Sequence, residues 1–191
     1  PALRGVRVLE MGAFTAAPHG TRLLAALGAD VLKLEPSGGE PARHLAQRLG
    51  GDGYLYHVNN TDKRSATLDI ASPGARARCL ELCRGADAFV EHFAPETTEA
   101  WGIGPGAVLG ANPGLVYCSI SGFGHTGPLT GQRAFDTVIQ AMAGGMSLTG
   151  EPDDPPVKIG LSIADLLGGC MAAAALLAAL RHRDRAGPGQ H

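Results

Sequence analysis

The chain has 191 residues, 45% hydrophobic but only 5% aromatic, with a formal net charge of −2. That is enough apolar material for one globular domain with a real core. The scattered charge offers neither the basic stripe of a nucleic-acid binder nor an acidic tail aimed at a cationic partner.

Residues 4–11 read as a strand, with Val6, Val8, Leu9 and Met11 apolar. Pro18 suits a helix amino terminus. The helix continues over 19–27, and Gly28 suits its carboxyl cap. A second strand over 30–34 completes a strand–helix–strand run of the length a parallel crossover needs. Residues 36–60 are rich in glycine and polar side chains and read as a long loop or a short helical excursion. Strands follow at 66–70, 88–90 and 115–120, and helices at 73–84, 96–102, 104–109, 136–146 and 162–183. Four or five β–α alternations predict an α/β fold: an open, mostly parallel Rossmann-like sheet with helices on both faces, ending in a long apolar helix. The many small residues, 28 of them glycine, suit helices laid closely against a sheet.

Residues 161–180 are apolar enough to resemble a membrane span. They also contain Asp165, two glycines and a run of alanines, and a charge there is costly in lipid. The expectation is a helix buried in a soluble core, with no membrane partner. Cys79 and Cys83 share one helical face, but no second pair completes a zinc site, so buried thiols and no metal are expected. The first ten residues lack the apolar run of a signal peptide, and the expected compartment is the reducing cytoplasm.

A dinucleotide site is not expected. The first strand leads into MGAFTAAP at residues 11–18, without the Gly-x-Gly-x-x-Gly that lets a pyrophosphate approach the backbone. Glu35 does end the second strand, where a ribose-binding acid would lie, but no nicotinamide cofactor follows without the glycines. The glycines of 102–106 read as a turn between helices.

Seven stretches carry a resemblance: LRGVRVLE at 3–10, followed by Pro18; LGADVLKLEP at 27–36; NNTDKRSATLD at 59–69; DAFVEHFAP at 87–95; SISGFG at 119–124 with Gly127 and Pro128; Phe135 and Asp136 through Gln140, Ala141, Gly144, Thr149 and Gly150; and Ile163-Ala-Asp165 with Ala178-Ala-Leu180, Arg183 and GPGQ at 187–190. Each alone is weak. In this order and spacing, over essentially the whole chain, they resemble the class III CoA-transferases, among them formyl-CoA transferase and carnitine CoA-transferase, with α-methylacyl-CoA racemase as a relative. Members are about twice as long. The resemblance therefore implies that residues 1–191 are the amino-terminal portion of the large CoA-binding domain, the smaller domain lying beyond this chain, as in a fragment, a truncated form or a split subunit.

The resemblance implies transfer of CoA from an acyl-CoA to a carboxylic acid through an aspartyl relay, with coenzyme A as the group carried and an interlocked homodimer as the full-length assembly. Asp165 matches the relay position. Read locally, Ser162-x-x-Asp165 is a near relative of the capping box, so a helix cap is the competing role. A first-turn carboxylate also feels the positive end of the helix dipole, worth up to ~1 kcal/mol, which favours the charged form. CoA contacts carry over to Thr15, Ala16, Leu68, Asp69, His92, Phe93, Arg133, Phe135 and Asp136. His92 stands where the family often has Asn, and it reads equally as a satisfied surface imidazole. Arg133 replaces a common Lys and reads equally as a solvated arginine. Phe135 stands where many transferases have Tyr. Two basic CoA-contacting positions of the formyl-CoA enzyme fall near Ser37 and at Ala100, so the resemblance does not imply formyl-CoA specificity. The racemases place a catalytic His at Phe135, and a phenyl ring cannot move a proton, which favours transfer. His125, in a glycine-rich loop, reads as exposed rather than catalytic. A non-catalytic piece that binds CoA or a partner subunit is the rival of another class.

Overall fold

The computed structural model describes residues 1–45 and 48–191. Its elements run β1 (Arg7–Met11), α1 (Ala16–Ala26), β2 (Asp30–Glu35), a 3₁₀ turn (Pro41–His44), β3 (Arg48–Leu49), β4 (Asp52–Gly53), α2 (Tyr54–Asn60), β5 (Arg64–Thr67), α3 (Ala75–Arg84), β6 (Ala88–Glu91), α4 (Pro95–Ala100), α5 (Pro105–Ala111), β7 (Val116–Ser119), α6 (Asp136–Met142), a second 3₁₀ turn (Gly145–Leu148) and α7 (Ile163–Ala186). The five longer strands form one parallel sheet in the order β5-β2-β1-β6-β7; β3 and β4 make a small antiparallel hairpin apart from it.

Alternation along the strands sends side chains to two cores. Val8, Val31, Val90 and Val116 face Leu24 of α1 and Leu176 of α7. Their neighbours Leu9, Leu34, Phe89 and Tyr117 face Cys79 and Cys83 of α3 and Val108 of α5. Both faces of a parallel sheet are thereby covered, the condition under which such sheets are stable. The expected Rossmann-like architecture is the one observed.

Several boundaries move for identifiable reasons. The strand expected over 66–70 lies at Arg64–Thr67, because pairing with β2 runs from Leu32↔Arg64 to Glu35↔Thr67. Leu68 makes one last backbone bond to β2, its amide donating to the Glu35 carbonyl (2.7 Å), and Leu68 and Ile70 pack against the second core. The helix expected over 136–146 ends at Met142, and Gly144, at φ +81°, turns the chain into the second 3₁₀ segment. The stretch 36–60 resolves into a 3₁₀ turn, the hairpin and α2, with residues 46–47 of that expectation outside the described residues. The turn expected between helices at 102–106 separates α4 from α5.

α7 is long and apolar enough to cross a membrane by length and composition. One face is used as expected: Gly169, Ala172, Ala173, Leu176, Ala179 and Leu180 are buried. The other is open, with Leu167 58% and Met171 69% exposed. The expectation of a helix buried in the core therefore holds on one side only, because the helix is apolar all round and α1, α6 and the sheet cover one side of it. Cys79 and Cys83 are buried thiols, whereas Cys170 of α7 is exposed.

Candidate functional site

In an open parallel sheet the crevice lies at the carboxyl ends of the strands where the order reverses. Here β1 lies between β2 and β6, so the reversal falls at the ends of β1 and β6. A cavity of about 680 Å³ opens there. Its walls come from residues 13–16 after β1, His92 after β6, residues 120–122 after β7, and the first residues of α6 and α7.

The β1–α1 loop is held group by group. Lys33 Nζ donates to the Gly12 carbonyl (2.8 Å), and the Ala13 amide donates to His92 Nε2 (2.8 Å). The Phe14 amide donates to Glu40 Oε2 (2.7 Å), and Asn59 Nδ2 donates to the Phe14 carbonyl (3.0 Å). Phe14 adopts φ +59°, a left-handed conformation that costs a non-glycine residue about 1–2 kcal/mol and persists where surroundings over-determine it. α1 then starts at Ala16 with no side-chain cap from Thr15, and Pro18 contributes no amide. The positive end of its dipole meets the cavity where Thr15 and Ala16 line it.

Beneath this loop lies a buried ionic cluster. Glu10 accepts from Lys33 (2.6 Å), Lys63 (2.7 Å) and Thr21 (2.8 Å), and Lys33 also pairs with Glu40 (3.2 Å). Asn60 donates to Glu40 (3.1 Å). Two carboxylates and two ammoniums cancel, the condition for burying charge at tolerable cost. Burial pushes Glu10 up, but Lys33 and Lys63 outweigh it and hold the carboxyl below its ordinary range. His92 is taken the other way: burial drops its pKa to about 4, so the ring is neutral and Nε2 keeps the lone pair that Ala13 needs.

Another part of the wall is the α6–α7 junction. Asp136 Oδ1 accepts the amides of Ala164 (2.8 Å) and Asp165 (3.3 Å), capping α7 from another helix. Its Oδ2 accepts from Gln140 Nε2 (2.6 Å), which also donates to the Leu161 carbonyl (3.1 Å), while Gln140 Oε1 accepts the Ile159 amide (2.9 Å). The local Ser162–Asp165 capping box is therefore not formed, because Asp136 has taken those amides. Among the described residues, none donates a hydrogen bond to the Asp165 carboxylate, which lies half-buried on the cavity wall. Burial, and then the Asp136 carboxylate, raise its pKa from 3.8 to about 6. The expectation that the helix dipole keeps this group readily charged is corrected: desolvation and a like charge outweigh the dipole.

Two glycines set the distance between the walls. A Cβ on Gly169 would stand 2.7 Å from the Ala16 carbonyl, and one on Gly20 would stand 2.7 Å from the Gly169 carbonyl. The amino ends of α1 and α7 thus meet backbone to backbone, which brings Thr15 and Asp165 to one cavity.

Of the ten residues singled out from sequence, Thr15, Ala16, His92, Phe135, Asp136 and Asp165 line the cavity. Leu68, Asp69, Phe93 and Arg133 lie outside it. Leu68 packs in the second core, Asp69 accepts the Ala71 amide in a turn (3.1 Å), Phe93 sits edge-on to Trp101 (4.9 Å), and Arg133 is exposed. His125 is partly buried against the His191 ring (5.3 Å), not exposed as expected, and it too lies outside the cavity. Sequence reasoning assigned no role to Glu40, Asn59 or Gln140. Asn59 stood within a quoted stretch, but nothing local indicates that it reaches Phe14. Among the described residues no group of three or more His, Cys, Asp or Glu side chains is placed to hold a metal ion.

A doubly wound sheet, a crevice at its switch point and an unbonded carboxylate on the wall that Thr15 and Ala16 also line mark a candidate small-molecule site. The sequence model of CoA-transferase family III matches residues 3–191, and the chain belongs to that family. It is 39% identical to a succinate–glutarate CoA-transferase of Agrobacterium fabrum, across 100% of this chain and 50% of that one. It is 42% identical to a succinyl-CoA–D-citramalate CoA-transferase of Chloroflexus aurantiacus, across 98% and 47%. A solved CAIB/BAIF family protein from Brucella suis superposes with a TM-score of 0.95 at 38% identity, covering 99% of this chain and 51% of that one. The chain spans about half the length of the curated relatives it matches.

Proposed function

We propose that the whole protein moves CoA from an acyl-CoA thioester to a carboxylic acid, with Asp165 as the covalent relay. The observation that carries this is the unbonded Asp165 carboxylate on the wall of the cavity that the uncapped amino end of α1 also lines. One carboxylate oxygen attacks the thioester carbonyl, the C–S bond breaks, and CoA leaves as thiolate from a mixed anhydride. The thiolate then attacks the aspartyl carbonyl, which releases the donor acid and leaves an aspartyl–CoA thioester. The acceptor carboxylate attacks that thioester, expels the thiolate and forms a second anhydride. The thiolate closes the cycle on the acceptor's acyl carbon and frees Asp165. Each oxyanion forms beside the α1 amides, where fixed dipoles stabilise developing charge without reorganisation.

The CoA contacts assigned to this reading are Thr15, Ala16, His92, Phe135 and Asp136 in the cavity, with Leu68, Asp69, Phe93 and Arg133 outside it along the nucleotide. The succinate, glutarate and D-citramalate named for two relatives are dicarboxylic acids, which supports an acid of that size as a substrate. Residues 1–191 as the amino-terminal portion of a large CoA-binding domain, a cytoplasmic setting and an interlocked homodimer belong to the same proposal. The open apolar side of α7 supports the last.

The test is CoA exchange in the full-length protein. Asp165→Ala should abolish exchange while acyl-CoA binding persists. With Phe135 at the position of the racemase base, no solvent deuterium should enter the α-carbon during turnover. Exchange at the wild-type rate in Asp165→Ala, or rapid α-deuteration, contradicts the reading.

A further inference from the structure

The chain has three lysines. Lys33 and Lys63 are buried in the ionic cluster, each within 4 Å of a carboxylate. Lys158 differs. It lines the cavity, and its ammonium has as its bond only a 3.3 Å contact to the neighbouring Ile159 carbonyl; among the described residues no carboxylate pairs with it. The cavity wall also carries two carboxylates, Asp136 and Asp165, and the neutral His92. Lys158 is therefore the one lysine or arginine among the described residues that line the cavity. Arg133 does not line the wall.

Its placement is tied to the chemistry. Gln140 Oε1 holds the Ile159 amide, one residue from Lys158, and the same Gln140 bonds Asp136, which caps the turn bearing Asp165. One side-chain clamp thus fixes the backbone that carries the free cation and the backbone that carries the relay carboxylate.

We infer that Lys158 is a specificity-determining residue, and that its ammonium receives the second carboxylate of a dicarboxylic acid whose first carboxylate reacts at Asp165. This rests on the CoA-transfer reading. A dianion entering a wall with two carboxylates is repelled unless a cation answers its far end, whereas a monocarboxylate needs no such partner. The flexible stem and point charge of a lysine accept far carboxylates at several reaches, so the ligand class is a range of short dicarboxylates. A CoA phosphate is the competing occupant. The long pantetheine arm keeps phosphates away from a thioester that must meet Asp165 in this same cavity.

The experiment is equilibrium binding to the full-length protein, which needs no turnover. Glutarate and its monoacid counterpart pentanoate are titrated into the wild type, Lys158→Met and Lys158→Arg. The wild type should prefer glutarate by roughly ten- to hundredfold, the range a charge-assisted hydrogen bond supports. Lys158→Met should erase that preference, and Lys158→Arg should keep most of it. CoA affinity should be equal in all three. An unchanged glutarate preference in Lys158→Met, or no preference in the wild type, overturns the inference while leaving the Asp165 exchange result standing. Loss of CoA affinity in Lys158→Met assigns the ammonium to a phosphate and overturns it too.

Discussion

The most informative perturbation of the site is Asp136→Asn. Asn Oδ1 can still accept the Ala164 and Asp165 amides, so the α7 cap survives, but the negative charge beside Asp165 is gone. Asp165 sits at about 6 instead of 3.8, and burial is the larger cause, ahead of Asp136. Asp136 therefore owns less than half of the rise, and its removal should bring the Asp165 midpoint down to about 5. In the proposed relay the attacking species is the carboxylate, so activity should appear as pH rises through this midpoint and fall about tenfold per pH unit below it. At pH 5 the wild type has about a tenth of Asp165 ionised and the variant about half. Normalised to its own plateau at pH 8, kcat/KM of the variant at pH 5 should be roughly fivefold that of the wild type. The plateau itself should drop, because the new amide faces Gln140 Nε2 donor to donor. The assay is kcat/KM for CoA exchange between pH 4.5 and 8.5. An acid limb that stays at pH 6, or moves upward, refutes the electrostatic reading of this pair.

Two further perturbations probe the supports of the cavity. Glu40→Ala leaves Lys33 and Lys63 to share Glu10, an excess buried cation, and frees the Phe14 amide; it should cost about 3–5 kcal/mol in urea unfolding, and a loss below 1 kcal/mol would mean the cluster is not closed as described. Gly169→Ala sets a methyl against the backbone of Ala16 and Gly20, so α1 and α7 must separate, at about 1–3 kcal/mol and with a fall in kcat larger than the rise in KM; unchanged stability and kcat would show that the helix contact does not set the site.

The sheet was readable from sequence because its strands are short apolar runs separated by helices, and parallel pairing with two covered faces follows from that alternation. What resisted reading depends on contacts between distant segments. The Arg64–Thr67 strand is displaced because its pairing with β2, not its own apolar residues, sets where it begins. Asp165 resembled a capping residue because Ser162 lies three positions before it. The true cap, Asp136, comes from 29 residues away in the chain and shares no local pattern with it. Glu40 and Asn59 act on Phe14 across 26 and 45 residues, and a backbone at positive φ in a phenylalanine leaves no trace in composition. Asp165 itself was found through resemblance; its raised pKa required knowing which carboxylate lies next to it.

The central claim is that Asp165 becomes covalently bonded to acyl and then to CoA. Full-length protein given carbonyl-labelled acyl-CoA, quenched with hydroxylamine or borohydride during turnover and mapped by peptide mass spectrometry, tests this most directly. The Asp165 side chain should emerge as a hydroxamate or an alcohol. Steady turnover with Asp165 unmodified, or with the modification on another residue, would contradict it.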